Sequence, residues 1–106
     1  MGNLIEATRQ LDLKIKIILR GVDRENTSQV KKRALEQIRL ACNEVKLDVR
    51  DYEYAETLAE QKKWARIGRH NLKALEQNIL LLDDVFGPAD VAELSAVIEQ
   101  VRLALR

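Results

Sequence analysis

Side chains fit for a helix seam recur along this chain at intervals of three and four. The longest run is Leu58, Gln61, Ala65, Gly68, Leu72, Leu75, Ile79, Leu82 and Phe86. That spacing predicts a helix lying nearly parallel to its neighbours, and the quartet Ile79-Leu80-Leu81-Leu82 is incompatible with strand alternation. The seam is graded: small or polar residues at Gln61, Ala65 and Gly68 allow close approach, and large aliphatics from Leu75 to Phe86 anchor it.

Three further segments carry the same signal. A first helix is expected from about Asn3 to Leu19, with the stripe Leu4, Thr8, Leu11, Ile15, Ile18 and Val22. A second carries Val30, Ala34, Leu35, Ile38, Ala41, Cys42, Val45, Val49 and Tyr52 on one broad face. A last helix shows Val91, Leu94, Ile98, Val101 and Leu105. Gly21 ends the first helix in this reading, and Thr27 or Ser28 caps the second. In Phe86-Gly87-Pro88, Gly87 is expected to leave the third helix in a left-handed conformation, with Pro88 in the first turn of the fourth.

The boundary between the second and third helices is the open point, because neither Gly nor Pro occurs between Val22 and Ile67. One helix from Ser28 to Phe86 would be about 88 Å long. The acids Asp48, Asp51, Glu53, Glu56 and Glu60 sit where negative charge stabilises a new helix start, which favours a break near Val49 to Ala55. The expected fold is therefore all-α, an antiparallel four-helix bundle forming one domain over residues 1–106. The alternative is a long central helix with two flanking helices, completed by dimerisation.

Two sets of apolar residues fall outside these stripes. Leu13 and Ile17 form an i, i+4 pair on the far side of the first helix. Leu40, Leu47 and Tyr54 recur every seven residues opposite the main face of the second. A helix apolar on two sides is sandwiched between partners, so these five residues are the expected surface for coiled-coil-like self-association and for a protein partner.

Composition narrows the function classes. Eighteen basic and seventeen acidic residues leave a formal charge of +1, so no bulk attraction to nucleic acid or membrane follows. Cys42 is the sole cysteine, which excludes an internal disulfide and a cysteine-based zinc site; its place in the second stripe makes it a small core residue. No apolar run reaches membrane-spanning length and the first residues lack the order of a secretory signal, so the cytoplasm is the expected address.

Charge does cluster locally. Lys62, Arg66, Arg69 and Lys73 form one ridge of the third helix, bordered by Lys63 and His70. Such a ridge can bind the phosphates of nucleic acid or a small anion, and it also fits an ordinary solvated face. Trp64 is assigned to the core. Asp83-Asp84 reads as a solvated pair near a helix end. No glycine-rich phosphate loop and no nucleophile–base arrangement is present, so neither an enzyme nor a cofactor is expected.

The run His70-Asn71-Leu72-Lys73-Ala74 resembles the His-x-Leu-Lys-Gly motif of histidine phosphotransfer domains, with Ala74 in the place of the Gly. The resemblance covers these five residues. It implies a four-helix bundle in which an exposed His70 accepts a phosphoryl group and Lys73 helps to hold it. The leading expectation is nevertheless a small non-enzymatic interaction or regulatory module, acting as a homodimer. Anion binding through the Lys62–Lys73 face and phosphotransfer at His70 are the alternatives.

Overall fold

The computed structural model describes residues 3–23, 25–82 and 84–105. They form four helices: α1 (Asn3–Arg20), α2 (Gln29–Glu53), α3 (Leu58–Leu80) and α4 (Pro88–Ala104). Each packs on its neighbours in chain order and α4 closes onto α1; across the diagonal, the Tyr52 hydroxyl of α2 donates to the Ala104 carbonyl at the end of α4, at 3.4 Å. The α2–α3 interface is the most extensive. The result is a rod of 48 × 24 × 17 Å, its long axis set by α2, which is itself about 37 Å long.

Side chains from adjacent helices fix the antiparallel order. Lys46 of α2 meets Asp12 of α1 at 3.0 Å, and Lys31 at the start of α2 pairs with Asp84 beyond the end of α3. Arg69 of α3 donates to the Leu105 carbonyl at the end of α4, at 3.1 Å. At Gly68, α3 approaches α4 so closely that a Cβ would stand 2.8 Å from Leu105 Cδ1.

The chain breaks between α2 and α3, which removes the single long helix. Thr57 caps α3 by accepting from the Glu60 amide at 3.1 Å, and the Tyr54 amide closes α2 on the Arg50 carbonyl. Ser28 caps α2 by accepting from the Lys31 amide. The core follows the stripes: Leu11, Ile15, Ile38, Val45, Val49, Leu72, Leu75, Ile79, Leu94, Ile98 and Val101 are buried. Cys42 is buried among them, and burial pushes its thiol pKa up to about 12, beyond the range of a reactive thiolate.

Four local expectations are corrected. Gly87 has φ −63° and ψ 166°, so it is the extended N-cap of α4 and not a left-handed exit from α3. The third helix stops at Leu80, and its last two seam residues, Leu82 and Phe86, are buried from the following turn, where the Phe86 amide donates to the Leu82 carbonyl at 2.9 Å. Val30 and Leu58 begin their stripes in sequence but are exposed, each in the first turn of its helix at an end of the bundle. Trp64 is half-buried rather than core, and Lys63 Nζ sits 5.0 Å from the centre of its ring.

Candidate interaction surface

All five apolar residues that the pattern set outside the core are exposed: Leu13 (47 %), Ile17 (63 %), Leu40 (49 %), Leu47 (43 %) and Tyr54 (74 %). On α2 the buried residues Ala34, Ile38, Ala41, Val45 and Val49 define one side. At 100° per residue, Leu40, Leu47 and Tyr54 lie on the opposite side and drift by about 20° per step. Leu47 and Tyr54 line a groove of about 570 Å³ between α2 and α1, with Ile5, Arg9, Asn43 and Arg50. Leu40, two turns earlier, lies outside that groove, as do Leu13 and Ile17. The Asp12–Lys46 contact sets the level of α1 against α2, and brings Leu13 and Ile17 alongside the stretch from Leu40 to Leu47.

Charged residues border the α2 stripe in a pattern that the leucine spacing did not disclose. Glu36 and Arg50 flank it toward α1 and Asp51 flanks it toward α3, while Arg33, seven residues before Leu40, continues the stripe itself. None of these four joins an ion pair among the described residues. Opposite charges stand near the two ends of the stripe, at Arg33 and Glu36 and again at Arg50 and Asp51.

Lys62, Arg66, Arg69, His70 and Lys73 are exposed on α3, and Lys62, Arg66 and Arg69 line a shallow groove with Ala59, Lys63 and Ala65. Lys62, Lys63, Arg66 and Lys73 make no ion pair among the described residues. Arg69 is partly committed to the Leu105 carbonyl. His70 stands on the outer side of α3 with Lys73 close to one turn further on, while Asn71 between them turns inward to Asp48. Asp84 pairs with Lys31, whose hydrogen bond holds its carboxyl below the usual range; Asp83 lies outside the described residues.

Two buried acids were not foreseen. Asp12 accepts from Lys16 and Lys46, each at 3.0 Å; burial pushes its carboxyl up, but the two ammonium groups outweigh this and hold it below the ordinary range. Asp48 accepts from Asn71 Nδ2 at 2.7 Å, and burial raises its carboxyl. Both occupy stripe positions, Asp12 four residues after Thr8 and Asp48 three after Val45, but the count does not contain the partners that make a buried acid tolerable. Among the described residues no buried side-chain polar atom lacks a hydrogen-bond partner, and no group of three or more His, Cys, Asp or Glu side chains is arranged to hold a metal ion.

Comparison of the chain with protein-family models, with curated proteins and with solved structures finds no match. No helix among the described residues is long and apolar enough to cross a membrane.

Proposed function

We propose that the chain is a small, non-enzymatic helical interaction module that works by self-association through the outer sides of α1 and α2. The observation that carries this reading is that the core closes without Leu13, Ile17, Leu40, Leu47 and Tyr54, which remain substantially exposed. Full burial of a Leu or Ile side chain releases about 1.5–3 kcal/mol relative to full exposure, and these part-exposed side chains forgo a share of it. Three of them at two-turn spacing on one helix match the seam of a paired helix. Reversible assembly of this kind suits a regulatory role, with the face open to a protein partner when the copies separate.

The test is the mass in solution. Sedimentation equilibrium on the chain and on Leu40→Glu with Leu47→Glu should give a dimer that shifts toward monomer, with helicity by circular dichroism retained. A monomer at all concentrations defeats the reading.

A second reading has its own support. Lys62, Lys63, Arg66 and Lys73 are clustered on one face of α3 and make no ion pair among the described residues. A polyanion bound along α3 would be held by phosphate contacts, and its affinity would fall steeply with salt.

A further inference from the structure

We propose that the groove between α1 and α2 receives an acidic, amphipathic helix of a partner protein, which displaces the second copy. The displacement rests on the self-association reading; the docking does not. The apolar lining of the groove comes from Ile5 of α1 and from Leu47 and Tyr54 of α2, and its charged lining is Arg9, Lys46 and Arg50. No carboxylate lines it.

Nearby acids leave that positive charge uncancelled. Asp12 is buried and shared between Lys46 and Lys16, each at 3.0 Å, so one carboxylate answers two ammonium groups. Arg9 reaches Glu6 only at 3.6 Å, with both side chains more than half exposed, and a contact of this kind exchanges readily for a better one. Arg50 makes no ion pair among the described residues. Two other grooves each lack half of this combination. Toward the other end of α2, Lys32 and Arg39 share a groove with Glu25 and Glu36, which selects neither sign. On α3, the cations Lys62, Arg66 and Arg69 line a groove with only Ala59 and Ala65 as apolar lining, and no large side chain anchors a partner there.

From Asn43 to Tyr54 the groove follows α2 for about 16 Å, or roughly three turns of a docked helix. A helix laid there meets Ile5, Leu47 and Tyr54 with aliphatic side chains at i, i+3 or i+4 and i+7, and meets the cations with acids beside them. A second copy presents both signs from its α2, Arg33 and Arg50 with Glu36 and Asp51, and so has no such preference for the groove. Leu47 and Tyr54 belong both to the groove and to the self-association stripe, so the two occupants exclude each other.

The experiment measures fluorescence anisotropy of three labelled helical peptides long enough to span the groove. One carries leucines at that spacing flanked by Glu, one has Lys in place of every Glu, and one has Ser in place of every Leu. The Glu–Leu peptide should bind at least about tenfold more tightly than either of the others. Arg9→Glu with Arg50→Glu should weaken it about tenfold and strengthen the Lys peptide, with helicity by circular dichroism unchanged. Lys62→Glu with Arg66→Glu should alter neither. Sedimentation with saturating Glu–Leu peptide should give the mass of one chain and one peptide. No binding, equal binding of the Ser peptide, or a loss confined to the α3 substitutions overturns docking in the groove, while a dimer of the free chain leaves self-association standing. A dimer that holds the peptide without separating overturns the displacement. A free chain that is monomeric throughout removes self-association and the displacement with it, and peptide binding that follows Arg9 and Arg50 then still supports the groove.

Discussion

Asn71 of α3 donates a 2.7 Å hydrogen bond to the carboxylate of Asp48 on α2, across the largest helix interface and at a point where Asp48 is 2 % exposed. Burial is the main influence on this carboxyl and raises its pKa; the Asn71 hydrogen bond opposes the rise, and the charges of Glu44 and Asp51 add to it. The folded state therefore holds the Asp48 proton more tightly than the unfolded chain does. Its contribution is most favourable below the ordinary carboxylate pKa and is lost as pH rises through the raised value. Asp48→Asn keeps an acceptor for Asn71 and removes the charge. It should stabilise the fold at neutral pH by about 1 kcal/mol, with the gain vanishing near pH 3, roughly a unit below the ordinary value. Thermal melts at the two pH values check this, and a loss of stability at neutral pH contradicts it.

Asp12 behaves in the opposite sense. Its carboxyl is held low by Lys16 and Lys46, so its stabilising contribution is present above the ordinary carboxylate pKa and is lost as pH falls through the lowered one. Asp12→Asn should cost about 1–2 kcal/mol at neutral pH, because the Lys16 pair within α1 and the Lys46 pair to α2 lose their shared anion. Urea unfolding at neutral pH and at about pH 2 should show the difference shrink with acid.

Gly68 is a packing constraint at the α3–α4 contact. A Cβ there meets the end of the Leu105 side chain, which can rotate, and Asp48 Cβ at an ordinary 3.5 Å. Gly68→Ala should therefore be nearly neutral, since a helix-propensity gain of about 1 kcal/mol offsets the local repacking. Gly68→Val has no such room and should cost about 2–3 kcal/mol. Denaturant midpoints for the two variants decide it.

On α3, the self-association reading predicts weak binding to a random-sequence duplex, undetectable by fluorescence anisotropy at about 50 mM salt. Tight binding with a steep salt slope, reduced by Arg66→Glu with Lys73→Glu, would favour the polyanion reading instead.

At His70 the same account predicts that a phosphorylated receiver domain passes no label to the chain. A label abolished by His70→Gln would assign His70 the phosphotransfer role that its local motif resembles.

The four helices were legible because burial repeats at the helix period, and because Gly87-Pro88 interrupts it before α4. The break after Glu53 was legible only in part: of the acids that pointed to it, Asp48, Asp51 and Glu53 lie in α2 itself and Glu60 stands in the first turn of α3, while neither Gly nor Pro marks the break and Thr57 does the capping. Exposure of Leu40, Leu47 and Tyr54 was legible for the same geometric reason as the core. Asp12 and Asp48 were not, although both lie on stripe positions. A buried carboxylate is tolerated only with partners, and Lys46 and Asn71 come from other helices through contacts that no local count contains. The end of α3 at Leu80 escaped too, because Leu82 and Phe86 stay buried from a turn that continues the hydrophobic spacing after the helical hydrogen bonds have stopped.

The central claim is that a second copy covers the outer side of α2, and sedimentation equilibrium at micromolar concentration tests it most directly. The account predicts twice the chain mass, falling toward the single mass for Leu40→Glu with Leu47→Glu while the helical spectrum is unchanged. A single-chain mass for the unaltered protein, or a dimer indifferent to both substitutions, contradicts it.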